Sequence, residues 1–250
     1  DHILSTTPIT NNATATYTRA TTATVEDWEG TIHEVPAGEL RWMGARKTTN
    51  EILYSQQFDN AYWSEIRQTT GTDAVLSPSG NQTFFTSQTA EQTSIGLVYK
   101  DMPATNVGED FVLSVLAKAK EKPYLFIGEG FTITGGGNNK YSYFDLSNGT
   151  LGTIDASARN ATITSEGDGW YRCSVTVTVG GTLSLFFGFG GADGNSTVVT
   201  DSGGVYIAEA QVENVTNQSI KTAADYIPTT TTAVTKWFDT AQDGTPLRPI

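Results

Sequence analysis

The chain has 250 residues and a formal net charge of −12, a length that allows a sizeable core in one β domain with extensions. That charge, with no concentrated basic face, argues against nucleic-acid binding and against anionic membranes, and no run approaches the ~20 apolar residues of a spanning helix. Hydrophobic residues make up 38%, below the ~45–50% of an average chain on a count that includes Gly. Abundant Thr, Ser, Asn and Gly make up the difference, as suits strands with solvated outer faces.

Residues 1–48 are rich in Thr and Ala and lack a sustained apolar face. They read as an extended N-terminal arm with short strands near Ala15–Tyr17 and Gly38–Met43, anchored by Trp28 and Trp42, that orders against the domain or another chain. The first residues lack the basic-then-apolar pattern of a signal peptide, and a start at Asp1 leaves an upstream targeting segment open. His2 and His33, the two histidines, both fall in this arm, so a histidine zinc site or a Ser-His-Asp triad would have to recruit a loop residue.

From Asn50 the character changes. Ile52, Leu53, Phe58, Tyr62 and Trp63 mix with polar residues as in the first strand and turn of a sandwich. Strands follow around Phe84 and over Thr93–Tyr99. Over Asp110–Lys120 alternation outweighs a helical reading: Phe111, Leu113, Val115, Ala117 and Ala119 share one phase, and only the other phase turns polar. Pro123–Gly128 reads as a short apolar strand. The Gly135–Gly137 run precedes no helix and no Lys-Ser/Thr pair, so it is not a phosphate cradle.

Lys140–Val179 states the architecture most plainly. Tyr171, Cys173, Val175, Val177 and Val179 point to one side of a strand, and Arg172, Ser174, Thr176 and Thr178 to the other. Ala161–Thr164 precedes it across Glu166–Gly169, whose residues tolerate positive φ, so a hairpin is expected. With Tyr141–Leu146 these runs read most simply as a three-stranded antiparallel meander. Cys173, the single cysteine, sits on the apolar phase and reads as a buried, inert thiol. Leu183, Leu185, Phe187 and Phe189 continue the alternation, with Phe186 breaking the polar phase, and Gly204–Glu213 is the last strand.

From Ser219 the chain reads as extended again, with Pro228, Pro246 and Pro249 interrupting any ladder. Strands at ~8–12-residue spacing with turn signals between them predict an all-β, antiparallel jelly-roll β-sandwich. The expected organisation is an N-terminal arm (1–48), the jelly roll (49–218) and an extended C-terminal arm (219–250). The Asn-X-Ser/Thr triplets at Asn12, Asn81, Asn148, Asn160, Asn195, Asn214 and Asn217 are glycan acceptors only in a eukaryotic secreted context.

Several strings in succession carry a resemblance: TRATTAT (18–24), GTI (30–32), ILYSQQFDNAYW (52–63), YFDLSNGTLGT (143–153), GWYRCSVT (169–176), AQVE (210–213) and DYIPT (225–229). Together they resemble a family of tailed-bacteriophage virion proteins whose jelly-roll domain is similar to carbohydrate-binding modules. Glu51 departs from it, standing where the family more often has an apolar residue. The resemblance implies a non-enzymatic structural or adhesive role on the virion surface: head decoration, tail fibre or tail tip. Implied partners are other virion proteins and further copies of the chain, with no nucleic acid and no membrane insertion. It supplies no catalytic residue, metal or cofactor.

The alternative function is recognition of a host-surface glycan, in which exposed aromatic faces stack on sugar rings. The candidates are Tyr62 and Trp63 in a turn, Tyr141 and Tyr143 on a strand, Trp170 at a strand start, and Phe186. A polysaccharide depolymerase would need two carboxylates, for which Glu129, Glu209 and Glu213 lie in or beside apolar strands. Asp193 and Asp201 lie in loops, without the spacing that makes a calcium site specific.

Overall fold

A computed structural model of the chain describes residues 9–10, 13–14, 18–26, 32–41, 46–88, 95–102, 106–129, 140–181, 183–195, 203–218 and 220–238. Among these there is no helix. Two six-stranded antiparallel sheets face each other. In chain order their strands are β1 (Ser64–Ile66), β2 (Gln68–Leu76), β3 (Gln82–Gln88), β4 (Leu97–Asp101), β5 (Asp110–Ala119), β6 (Tyr124–Glu129), β7 (Lys140–Asp145), β8 (Thr150–Leu151), β9 (Arg159–Gly167), β10 (Trp170–Thr178), β11 (Ser184–Gly190) and β12 (Val205–Asn214). The first sheet runs β9-β10-β5-β12-β3-β2 and the second β8-β7-β6-β11-β4-β1. The chain changes sheet at every step except β2 to β3, β6 to β7, β7 to β8 and β9 to β10, so it passes back and forth between the layers along the jelly-roll path.

Alternation builds the core as the sequence predicts. Phe111, Leu113, Val115 and Ala117 of β5 meet Cys173, Val175 and Val177 of β10 on the first sheet's inner face, and Leu125, Ile127, Leu185, Phe187 and Phe189 line the second. Full burial of each such aliphatic or aromatic side chain contributes roughly 1.5–3 kcal/mol against chain entropy. Cys173 is completely buried, and burial pushes its thiol pKa far up. The β9–β10 turn takes positive φ at Gly167, Asp168 and Gly169, as a tight hairpin requires.

The three-stranded meander is not formed. β7 pairs with β6 and β8 in the second sheet, whereas β9 and β10 pair in the first. Residues 152–158 carry the chain across, because Phe144 points to the shared interior and needs the opposite sheet to cover it.

The described parts of the two terminal segments lie against the domain. The strand Arg46–Asn50, which straddles the expected boundary at 48, pairs with Val234–Phe238. Residues 220–238 are extended but lie along their own domain: Ile227, Thr229, Trp237 and Phe238 are buried. A second ribbon, Ala23–Glu26 with Ile32–Val35, buries Val25 and Val35, and His33 sets its ring edge-on to Trp237 at 5.8 Å. Residues 38–41 form no strand. The expected strand at 15–17 and the anchors Trp28 and Trp42 lie outside the described residues.

The tail is fastened first at Asp110. Lys221 Nζ donates to its Oδ2 at 2.6 Å, and Arg159 and Thr178 donate to its Oδ1. Burial works against ionisation, but hydrogen bonds from Lys221, Thr178 and Arg159, with the charge of Lys221, prevail and hold the carboxyl down at about 2. A depressed carboxylate stabilises the fold above its unfolded pKa of about 4, and that stability is lost as pH falls through the folded value. Urea unfolding of the parent is expected to show a loss of about 1 kcal/mol from this site between roughly pH 4 and 2, reduced by solvent screening. Asp110→Asn should lack that component.

Candidate functional site

The outer face of the first sheet carries a groove of about 750 Å³, floored by Leu116, Arg172 and Glu209 and walled by β9, the β2–β3 turn and residues 222–226. Its geometry begins with a β-bulge. On β12, Gln211 pairs with Ser114 and Ala208 with Leu116, so Glu209 and Ala210 together face the single residue Val115. The extra residue changes the phase of the strand. Ile207 and Ala210 both face the core, while Ala208 and Glu209 turn outward in succession. Glu209 adopts φ +56, a left-handed conformation that costs a non-glycine residue about 1–2 kcal/mol and persists only where its surroundings enforce it.

Those surroundings are polar and closely bonded. Glu209 Oε1 accepts from Ser77 at 3.1 Å, from Asn81 at 2.9 Å and from Ser79. Its Oε2 accepts from Arg172 Nη2 at 2.7 Å, and its backbone oxygen from Arg172 Nη1 at 2.6 Å. Arg172 is thus held from two directions in a site where both partners are largely buried, at 13% and 5% side-chain exposure. Its guanidinium carbon lies 5.3 Å from the centroid of the Tyr226 ring. The Tyr226 hydroxyl meets Ser55 Oγ at 2.5 Å. Burial raises the phenol's pKa well above its ordinary value despite the bond to Ser55, so the ring stays neutral. Thr162, Thr164, Ser79, Glu166 and Asp225 line the rim, with the Thr162 hydroxyl bonded to Ser174 at 2.7 Å.

The tail that forms one wall is clipped by buried polar groups. Glu213 accepts from Arg46 at 3.3 Å, Gln211 at 2.9 Å and the Ala224 N–H at 3.1 Å. Burial pushes the Glu213 pKa up and the Arg46 charge opposes it. Ile227 N–H donates to Gln211 Oε1 at 2.7 Å, and Asn50 Nδ2 donates to the Ile227 oxygen at 2.7 Å.

The six aromatic candidates do not form one surface. Trp63 is a core residue against Phe58 and Phe187, its Nε1 donating to the Tyr54 oxygen at 3.1 Å. Trp170 is buried with Leu116 and Ala208 on the outer side of the first sheet. Tyr141, Tyr143 and Phe186 come together with Phe126 on the outer face of the second sheet. There Tyr143 and Phe186 are buried, and the Phe186 ring lies so close over Gly128 that a Cβ at 128 would meet it at 2.1 Å. Phe186 breaks the polar phase because this outer face is itself packed. A sugar platform needs an exposed ring face, which Trp63, Tyr143, Trp170 and Phe186 do not offer. Tyr62 and Tyr141 are half-buried. Tyr62 lines a separate cavity with the Lys100 ammonium over its ring at 4.2 Å.

Of the carboxylates, Glu209 and Glu213 are buried and hydrogen-bonded as described. Asp193 is exposed and accepts from Thr153 N–H and Oγ1 at 2.7 and 2.9 Å. Asp201 and the Glu129 side chain lie outside the described residues. Among those described, no group of three or more His, Cys, Asp or Glu is placed to hold a metal ion. Sequence reasoning missed Arg172 and Tyr226. The available signal was Glu209 itself, a charge on the phase of Val205 and Ile207 followed by a switch to Ala210 and Val212.

The chain matches no protein-family model and no curated protein sequence. Among solved structures it is similar to the enzymatically active domain of tailspike protein 4 from bacteriophage CBA120, with 15% identity and TM-score 0.39 over 65% of this chain and 21% of that one. It is similar to the CBM22-2 xylan-binding domain of a Paenibacillus barcinonensis protein, with 13% identity and TM-score 0.42 over 66% of this chain and 98% of that one. It is also similar to the K1 cleaved adhesin domain of Lys-gingipain from Porphyromonas gingivalis, at 14% identity and TM-score 0.35, covering 67% and 96%. By its own strand order the fold is an all-β, antiparallel jelly-roll sandwich.

Proposed function

We propose that the chain is a non-catalytic, glycan-binding module of a bacteriophage particle that takes up a host-surface saccharide in the groove beside Arg172 and Tyr226. The observation that carries this reading is the strained, fully engaged Glu209, which fixes Arg172 beside an aromatic ring on the floor of an open groove. A ring, a guanidinium and flanking threonine hydroxyls are the groups that hold a pyranose by its apolar face and its hydroxyls. A glycosidase acid or nucleophile must have an oxygen directed at the substrate. Both Glu209 oxygens are instead taken by the protein, so the one carboxylate on the groove floor is a structural group, in keeping with a module that binds without cleaving.

The particle context comes from the sequence resemblance. Contacts with neighbouring virion subunits, and with further copies of this chain, then cannot use Ile227, Thr229, Trp237 or Phe238, which are buried in the domain itself. On an array of bacterial surface polysaccharides the parent is expected to bind one saccharide class. Tyr226→Phe should bind it comparably, and Tyr226→Ala at least about tenfold more weakly. An empty array, or a Tyr226→Ala variant that binds as the parent does, refutes the reading.

A further inference from the structure

A second cavity, of about 610 Å³, opens where the end of β4 meets the strand Arg46–Asn50 and the tail. Thr49, Glu51 and Leu53, alternate residues as the chain leaves that strand, form one wall, and Lys100 and Met102 stand in the lining with Tyr62. Its walls are mostly apolar, yet they carry the Lys100 ammonium and two carboxylates, Glu51 and Asp101. The Lys100 ammonium rests over the Tyr62 ring at 4.2 Å. No ion pair joins it to Glu51, whose carboxylate makes no hydrogen bond or ion pair among the described residues. Burial, then the nearby charge of Glu109, pushes the Glu51 pKa up, the signature of a desolvated carboxylate without a donor. The other carboxylate in the lining, Asp101, already accepts from the Ser184 hydroxyl.

We propose that this cavity is a second binding site, separate from the groove, for a zwitterionic saccharide whose ammonium is received by Glu51 and whose anionic substituent is received by Lys100. Charge complementarity sets the class. A neutral sugar leaves Glu51 desolvated, a purely cationic sugar leaves Lys100 without an anion to receive, and a purely anionic one meets Glu51 and Asp101. The body of the ring lies against Leu53 and Met102. The volume is within the range of small-molecule pockets, and the argument is independent of what the groove binds.

Calorimetric titration of the whole chain with muramic acid, glucosamine and glucuronic acid tests it, since the first carries both charges and the others one each. Muramic acid is expected to bind about ten- to a hundredfold more tightly than either, the range of one charge-assisted hydrogen bond. Glu51→Gln and Lys100→Met should each reduce it to the level of the singly charged sugars. Glu51→Gln removes a desolvated charge and is expected to unfold at or above the parent's temperature, so its loss of binding is not a loss of fold. If Lys100→Met fails to fold, Lys100→Gln provides the same comparison. Equal affinity for the three sugars, no binding of muramic acid, or full binding by the Glu51 variant overturns the proposal.

Discussion

Glu209→Ala is expected to destabilise the protein by about 3–5 kcal/mol, the usual cost of leaving one partner of a buried ion pair uncompensated. The carboxylate does more than pair with Arg172. Through Ser77, Ser79 and Asn81 it also bolts the β2–β3 turn across the outer face of the sheet. Its backbone conformation provides an independent check. Glycine in a strand ordinarily weakens it, but at φ +56 glycine is relieved of the Cβ strain that alanine keeps. Glu209→Gly is therefore expected to be more stable than Glu209→Ala by about 1 kcal/mol, reversing the usual order. A double-mutant cycle between Arg172→Met and Glu209→Gln should give a coupling of about 1.5–3 kcal/mol. Urea unfolding measures all three quantities; alanine more stable than glycine at 209, or coupling near zero, would contradict the strained-clamp account.

Asn50→Ala is the second large effect. Asn50 is fully buried and joins three segments with one amide. Its Nδ2 donates to the Ile227 and Ala210 oxygens at 2.7 and 3.2 Å, and its Oδ1 accepts from Val212 and Ile52 N–H at 3.1 and 3.3 Å. No side chain without a polar head can satisfy these groups, and unpaired buried amides cost about 1–3 kcal/mol each before water relieves some of them. A loss of about 3–5 kcal/mol is expected. Because the Ile227 contact is among those lost, proteolysis of residues 220–238 should become faster than global unfolding alone explains. A variant whose tail is cut no faster than the parent's would show that Asn50 does not hold the strap. Loosening the strap also displaces Tyr226, so the same substitution should weaken glycan binding in the groove.

The sandwich was legible because its inner-face residues keep a period of two through long runs. Phe111–Ala119 and Tyr171–Val179 announce both their strands and their buried sides, and Gly167-Asp168-Gly169 announces the turn between β9 and β10. What alternation does not encode is which sheet a strand joins. Tyr141–Leu146 looks like the neighbour of Ala161–Thr164 in sequence, yet its partners are β6 and β8. β2 escaped notice because Gln68–Leu76 is rich in threonine, contains Gly71 and stands at a sheet edge with alternate positions exposed. The tail was unread for a different reason. Tyr226, Ile227 and Thr229 are too few to form an apolar face, and their burial depends on polar receptors distant in sequence, Asn50, Ser55 and Gln211.

The candidate site was less legible than the fold. Large aromatic residues are the obvious sugar platforms, but size also makes them the best core fillers, and Trp63, Trp170 and Phe186 are used in that way. The groove is assembled by a bulge, which appears in sequence only as a phase switch at Glu209, and by a strap whose path is tertiary. Arg172 looked like one more polar residue on a wet face. Its importance comes from Glu209 on β12, two strands away across β5.

The most direct measurement is chemical-shift mapping of isotope-labelled protein titrated with the oligosaccharide that binds best on the array. Shifts centred on Thr162, Arg172, Glu209 and Tyr226 are the predicted result. Shifts centred instead on Tyr99, Tyr124 and Tyr141 of the opposite sheet, with the groove silent, would contradict the account.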